Sequence, residues 1–288
     1  MENCTLTPVR DRLALILGQL EQRITEGPDS PATSGIRSWV QTLTGNGTAD
    51  ADRLIQSIHA DPALTGHVLR IANAPVYRPR LPVASLEQAV ARLGVGPISE
   101  IALAVSIEAE FYQAPGHEVQ ASYLWHHALA GGLWGREIAR ERDHDPDTAF
   151  VCGLLHHIGK PVVLRELIRL GSDRNADSWI REESPGLIRA HHAQAGVCVA
   201  EALAFPRVVH EVIQYTEQYE AAPTFRDECL ITHAANRLAD HLLDPERVRE
   251  EAVFDLPAMH DLDFHSSDLK RLLARSPAVW NTMEEVIP

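Results

Sequence analysis

The sequence predicts an all-α protein. Apolar residues recur at helical spacing in segment after segment, caps and stops sit at the ends of those segments, and no stretch sustains the period-2 alternation of a half-buried strand. Asp61-Pro62 reads as an N-cap followed by proline in the first turn, with Leu64, Val68 and Ile71 on one face behind it. Ser85 with Gln88 three residues on forms a capping-box pattern, Leu86, Val90 and Leu93 make its apolar stripe, and Gly94 is the expected stop. Leu124, His127, Gly131, Trp134 and Ile138 are spaced 3, 4, 3, 4, as one buried helical stripe requires. Ala149 to Leu155 is apolar throughout, so that helix is expected to be buried nearly all round. Ile188, His192, Ala195, Val199 and Ala202 form the next stripe. From Pro245 onward two or three short helices are expected, with Ser267 capping the one that carries Leu269, Leu272 and Leu273. Breaks fall at Thr44–Asp50, Gln113–Val119, Gly171–Asp177 and Ala221–Asp227.

With 288 residues the chain can bury a generous core, and its 26 Lys+Arg against 40 Asp+Glu give a formal charge of −14. That sign offers no global field to draw in phosphates, which argues against a general nucleic-acid or anionic-membrane binder. The first twenty residues carry no uninterrupted apolar run, and the most apolar window, Ile98 to Ala109, is broken by Glu100 and Glu108; neither a signal peptide nor a membrane span is expected. The 4 cysteines include no Cys-x-x-Cys pair, which fits a reducing cytoplasm and no thiolate zinc site. Several familiar motifs begin and fail. His117-Glu118 and His210-Glu211 lack the second histidine of a metalloprotease helix, and Gly159-Lys160 is followed by proline rather than the Ser or Thr of a phosphate loop.

Histidine is the unusual residue, 15 in all, with three doublets: His126-His127, His156-His157 and His191-His192. Helical phase turns His127 and His192 inward, and the central doublet leaves the end of the apolar helix. Three segments therefore deliver imidazoles to the interior. Two readings fit: a metal or acid–base site built from converging helices, or separate core histidines held by hydrogen bonds. Asn73, polar beside an apolar stripe, either fastens the following loop or faces a ligand. Arg165 and Arg169 share a helical face, most simply a solvated one, and Trp125 and Trp134 are expected to pack between lobes.

The residues also resemble a known family. AFVCGLLHHIGK (Ala149–Lys160) is similar to the AF-x-x-GLLHDIGK signature of the HD superfamily, and of its HDOD branch in particular. IHADPALTGHVLRIANAPVY (Ile58–Tyr77) resembles that branch's I-x-x-DPAL-x-x-x-LR-x-ANS, and SLEQAVARLG (Ser85–Gly94) its S-x-x-x-AI-x-x-LG. Trp125-His126-His127, the stretch from His192 to Gly196, and Pro206–Tyr215 continue the likeness, which runs from about Pro8 to about Leu243. The resemblance implies a two-lobed helical fold of bacterial signalling and regulatory proteins, with an HD-like bundle as the second lobe. The expected divisions are an N-terminal lobe over 1–115, an HD-like lobe over 116–244 and a helical extension over 245–288.

In the catalytic relatives a His, a His-Asp dyad and a later Asp hold divalent metal. Carried onto this chain these become His127, His156 with His157, and Asn236. The dyad's Asp is thus a histidine and the later Asp an asparagine, so the aligned set has no carboxylate to hold Mg²⁺ or Mn²⁺ or to activate water. No cofactor is expected by default, although the imidazoles of His127, His156 and His157 suit Zn²⁺, Ni²⁺ or Fe²⁺. His192, Asn236, Glu217 and Asn73 complete the pocket candidates, Glu217 only if the fold brings it close. The resulting expectation is a regulatory protein that binds a protein partner or small ligand without turnover. The alternatives are a divergent metal-dependent phosphohydrolase acting on a nucleotide or cyclic dinucleotide, and a helical scaffold whose histidines are all structural.

Overall fold

The computed structural model describes residues 31–45, 51–77, 82–171 and 177–287. Among them there are helices and no strands, because the 3.6-residue periodicity of the sequence is satisfied nearly everywhere. The first group comprises α1 (Pro31–Leu43), α2 (Ala51–His59), α3 (Pro62–Ala72), α4 (Leu86–Leu93) and α5 (Val95–Phe111). Asp61 caps α3 by accepting from the N–H groups of Ala63 and Leu64, and Ser85 caps α4 through the Gln88 N–H. The Gln88 side chain takes the N–H of Ala84 rather than that of Ser85. Gly94, with φ 91, ends α4 and starts α5 in one step, a backbone conformation that favours glycine.

The second group comprises α6 (Glu118–Glu141), α7 (Pro146–Leu155), α8 (Gly159–Gly171), α9 (Asp177–Ala202), α10 (Arg207–Tyr215), a 3₁₀ segment (Thr216–Ala221) and α11 (Arg226–Leu243). Every residue of α7 from Ala149 to Leu155 is buried, and it lies against α6, α10 and α11. Trp125 and Trp134 of α6 are both buried, Trp125 beside Tyr112 of the loop that joins the two groups. Glu100 of α5 reaches across to Arg136 of α6 at 2.7 Å, a mostly buried ion pair that ties the groups together.

Four short helices follow: α12 (Glu250–Phe254), α13 (Pro257–Asp261), α14 (Ser266–Leu273) and α15 (Ser276–Val286). The cap of α14 is His265, not Ser267. His265 has the extended backbone of an N-cap, and Asp268 returns a bond to its N–H, which leaves Ser267 inside the first turn. This end of the chain is clamped to α6. Arg275 pairs with Glu137 and Glu141, and the Arg142 guanidinium lies 3.6 Å from the centre of the Phe264 ring. No helix among the described residues is long and apolar enough to cross a membrane.

Candidate metal centre

Glycine contacts bring the histidine-bearing helices together. A Cβ on Gly153 of α7 would stand 2.3 Å from the carbonyl oxygen of Gly131 on α6, so these backbones touch with no side chain between them. Gly131 in turn lies against His156, whose ring would be 3.2 Å from an added Cβ. At the next crossing, Gly159 of α8 packs so closely on α9 that a Cβ would meet the His192 carbonyl oxygen at 1.9 Å. These approaches place His127 (α6), His156 and His157 (the α7–α8 turn) and His192 (α9) around one point.

His127, His156 and His157 are all buried and present ligand nitrogens that lie within 4.8 Å of one another. The rings of His156 and His157 are 3.8 Å apart between centres, His127 lies 5.5 Å from His157, and His192 meets His157 edge-on at 5.1 Å. Burial pushes the His156 imidazole down to about 3 and His157 well below the ordinary histidine range, with each ring's neighbours adding to the effect. His127 and His192 are lowered too, again chiefly by burial. The cluster is therefore neutral at physiological pH and offers lone pairs rather than charge.

Nitrogen roles follow from the hydrogen bonds. His156 Nδ1 lies 2.7 Å from the Gly153 carbonyl, so it must donate, leaving Nε2 as an acceptor. That Nε2 faces the side-chain oxygen of Asn236 at 3.3 Å, a second acceptor. The pair is satisfied if the Asn236 amide turns its NH₂ inward, or if a cation is shared between the two. His192 Nδ1 is held by the carbonyls of Ile188 and Arg189, so it donates and leaves Nε2 as the acceptor. His157 Nδ1 is buried with no hydrogen-bond partner at all.

The charged rim was only partly anticipated. Glu217 does approach: its carboxylate lies 3.9 Å from His157 Nε2, although its side chain is 62% exposed. Lys160 stands close enough for its charge to depress all four imidazoles, and burial lowers its own ammonium to about 8. Asp240, one helical turn beyond Asn236 on α11, brings to the cluster an acid that the aligned positions lack. Its Oδ1 lies 3.3 Å from His127 Nε2. Burial would raise this carboxyl, but His127, Arg237 and Arg247 outweigh it and hold it at about 2. Asp240 sits four residues after Asn236, and that i,i+4 spacing was the available signal. Asn73 lies outside the cluster. Its amide donates to the carbonyls of Leu69 and Val83 and accepts from the Val83 N–H, fastening the loop ahead of α4.

The donor set fits a borderline transition ion. Three neutral imidazoles with one carboxylate at the margin suit Zn²⁺, Ni²⁺ or Fe²⁺, and the orphaned His157 nitrogen is the kind of atom such an ion satisfies.

Residues 31–219 match the family model of the HDOD domain. The chain belongs to the HDOD family. Similar solved structures include an HDOD domain protein of unknown function from Geobacter sulfurreducens (19% identity, 96% of this chain and 90% of that one, TM-score 0.62). A protein from Shewanella amazonensis SB2B, provisionally named a phosphohydrolase, matches at 19% identity over 93% of this chain and 97% of its own, with TM-score 0.66. A second from the same organism, provisionally named a metal-dependent phosphohydrolase, matches at 17% identity over 96% of both chains, with TM-score 0.64. At these identities the likeness is one of fold. No curated protein matches the sequence. A separate cavity of about 510 Å³, lined by Gln41, Asp145, Arg207 and Glu228 among others, shares no residue with the histidine cluster of this HDOD protein.

Proposed function

We propose that this HDOD protein is a regulatory component of signal transduction that acts by binding, and that its histidine cluster holds a transition-metal ion as part of the folded scaffold. The observation that carries this reading is closure. His156 is 1% exposed, His127 5% and His157 6%, so a bare ion fits where a nucleotide does not. The nearest carboxylate is occupied as well, Asp240 being bridged by Arg237 on one oxygen and Arg247 on the other. A carboxylate so held is a poor general base, since taking up a proton would break both pairs. His127, His156 and His157 would bind the ion, whose contribution when bound is charge and rigid cross-linking of α6, the α7–α8 turn and their neighbours. Output then passes to a protein partner or small ligand, with no role expected for nucleic acid. The divergent phosphohydrolase remains the second reading, favoured by Asp240, which returns an acid to the site, and by the provisional names of the two Shewanella proteins.

Elemental analysis and turnover assays test both readings. Untagged protein is expected to retain about one equivalent of Zn, Fe or Ni and to leave nucleotide phosphates and cyclic dinucleotides intact. Hydrolysis by metal-loaded protein that His156→Ala abolishes would establish the enzyme instead. Protein free of transition metal, and unable to take it up, would leave the histidines a structural role only.

A further inference from the structure

The Asp240–His127 contact is long for a charge-assisted hydrogen bond, as are the Arg237 and Arg247 contacts to the same carboxylate. Charge-assisted N–H···O bonds are about 2.7–2.9 Å long, and this separation is 3.3 Å. It is, however, close to the distance between adjacent nitrogen and oxygen ligands on one tetrahedral ion, about 3.4 Å for ordinary Zn–N and Zn–O bond lengths. The two carboxylate oxygens are engaged differently. Oδ2 meets Arg237 at 3.2 Å, on the same helix, whereas Oδ1 faces both His127 and Arg247, the latter at 3.1 Å. Arg247 lies beyond α11, in a turn held by its own pairing with Asp244 and by the Val248 N–H on the Asp244 carbonyl. His241 Nδ1 meets the Val248 carbonyl at 2.7 Å and pins that turn back onto α11.

We propose that Asp240, rather than the aligned Asn236, is the carboxylate ligand of the metal centre, and that Arg247 competes with the ion for its Oδ1. Metal binding and docking of the 244–248 turn therefore oppose one another, while Arg237 keeps Oδ2 in both states. The coupling is reciprocal, so a partner that draws Arg247 away would tighten metal binding, and loading the metal would loosen the turn. This inference rests on the reading of the cluster as a transition-metal site.

The experiment measures Zn²⁺ affinity of the full chain by chelator competition, with Co²⁺ absorption as a second readout. Asp240→Asn is expected to weaken zinc by about 100-fold and to change the Co²⁺ d–d bands, and Asn236→Ala to weaken it less. Arg247→Ala, which leaves every imidazole in place, is expected to tighten binding about threefold, the size expected of a half-exposed ion pair lost as a competitor. Zinc should also speed hydrogen exchange at the Val248 amide. The proposal is overturned by wild-type affinity in Asp240→Asn when His157→Ala has lost the ion, or by unchanged or weaker binding in Arg247→Ala. The second measurement decides the matter even if Asp240→Asn fails to fold. A wild-type chain that binds neither ion removes the metal reading itself, a failure distinct from either of these.

Discussion

Gly159→Ala is the sharpest test of how the site is assembled. Gly159 opens α8, directly after His156, His157 and Ile158, and its α-carbon faces the backbone of α9. An added Cβ would meet the His192 carbonyl oxygen at 1.9 Å and the Gly196 nitrogen at 2.5 Å. Ordinary contact begins near 3.4 Å, so relief demands about 1.5 Å of separation between two helices whose facing atoms are backbone and cannot change rotamer. Overpacking of a well-filled core typically costs about 1–3 kcal/mol, and a rigid backbone clash belongs at or above the top of that range. For a chain of this size about 3 kcal/mol corresponds to a fall in Tm of roughly 6–12 °C. Because the same displacement shifts the His156–His157 turn that leads into Gly159, metal affinity should fall with it. Thermal or urea melts of the two proteins measure the first effect and chelator competition the second. Gly66→Ala is the control: Gly66 lies inside α3 with no atom within 4 Å of an added Cβ, so alanine should raise stability by about 0.5–1 kcal/mol. A Gly159→Ala protein as stable as the wild type would refute the argument that backbone contact at this crossing sets the geometry of the cluster.

Three other outcomes are expected. Ala204, with φ 49, closes α9 through bonds from Phe205 N–H to the Ala200 carbonyl and from its own N–H to Glu201, a left-handed position where glycine is favoured. Ala204→Gly should therefore raise stability by up to about 1 kcal/mol in denaturant unfolding. Glu211 is buried and accepts the N–H groups of Thr224 and Phe225 at the start of α11; burial would raise its carboxyl, but these bonds and Arg207 hold it below the ordinary 4.5. Its contribution is then complete above pH 4.5 and disappears as the pH falls through the lower folded value. Glu211→Gln should cost about 2 kcal/mol at pH 7 and progressively less in acid, whereas a constant difference across the pH range would count against the mechanism. Asn73→Ala removes three hydrogen bonds and leaves the Val83 N–H unpaired, a loss of about 2–3 kcal/mol. Since Asn73 lies outside the cluster, zinc affinity should not change, and a weakened affinity would return it to the pocket.

Much of this protein was legible because helical order is local. Asp61, Ser85 and Gly94 cap or stop their helices through groups within five residues of themselves, and His127 is buried because its stripe of neighbours repeats along one face. Ser267 looks like a cap because it is a serine beside an apolar run, but His265 with its Asp268 partner does that work two residues earlier. Asp240 was missed for a different reason. A family pattern names a position, and the acid here stands one turn away from that position, on the same face of α11.

Local spacing by itself determined that the chain is helical, where most helices begin, and that imidazoles on three segments point inward. The tertiary structure decided what those imidazoles meet: the Gly131–Gly153 and Gly159–His192 approaches that draw four rings together, the carboxylate of Asp240, and the arginine that holds it. The division has a physical basis. A side chain's direction is set by φ, ψ and the 3.6-residue turn, which a few neighbours dictate. Which groups share a point, across as much as the 113 residues from His127 to Asp240, depends on how closely the helices that carry them can cross, and that is settled only when the backbones are in contact.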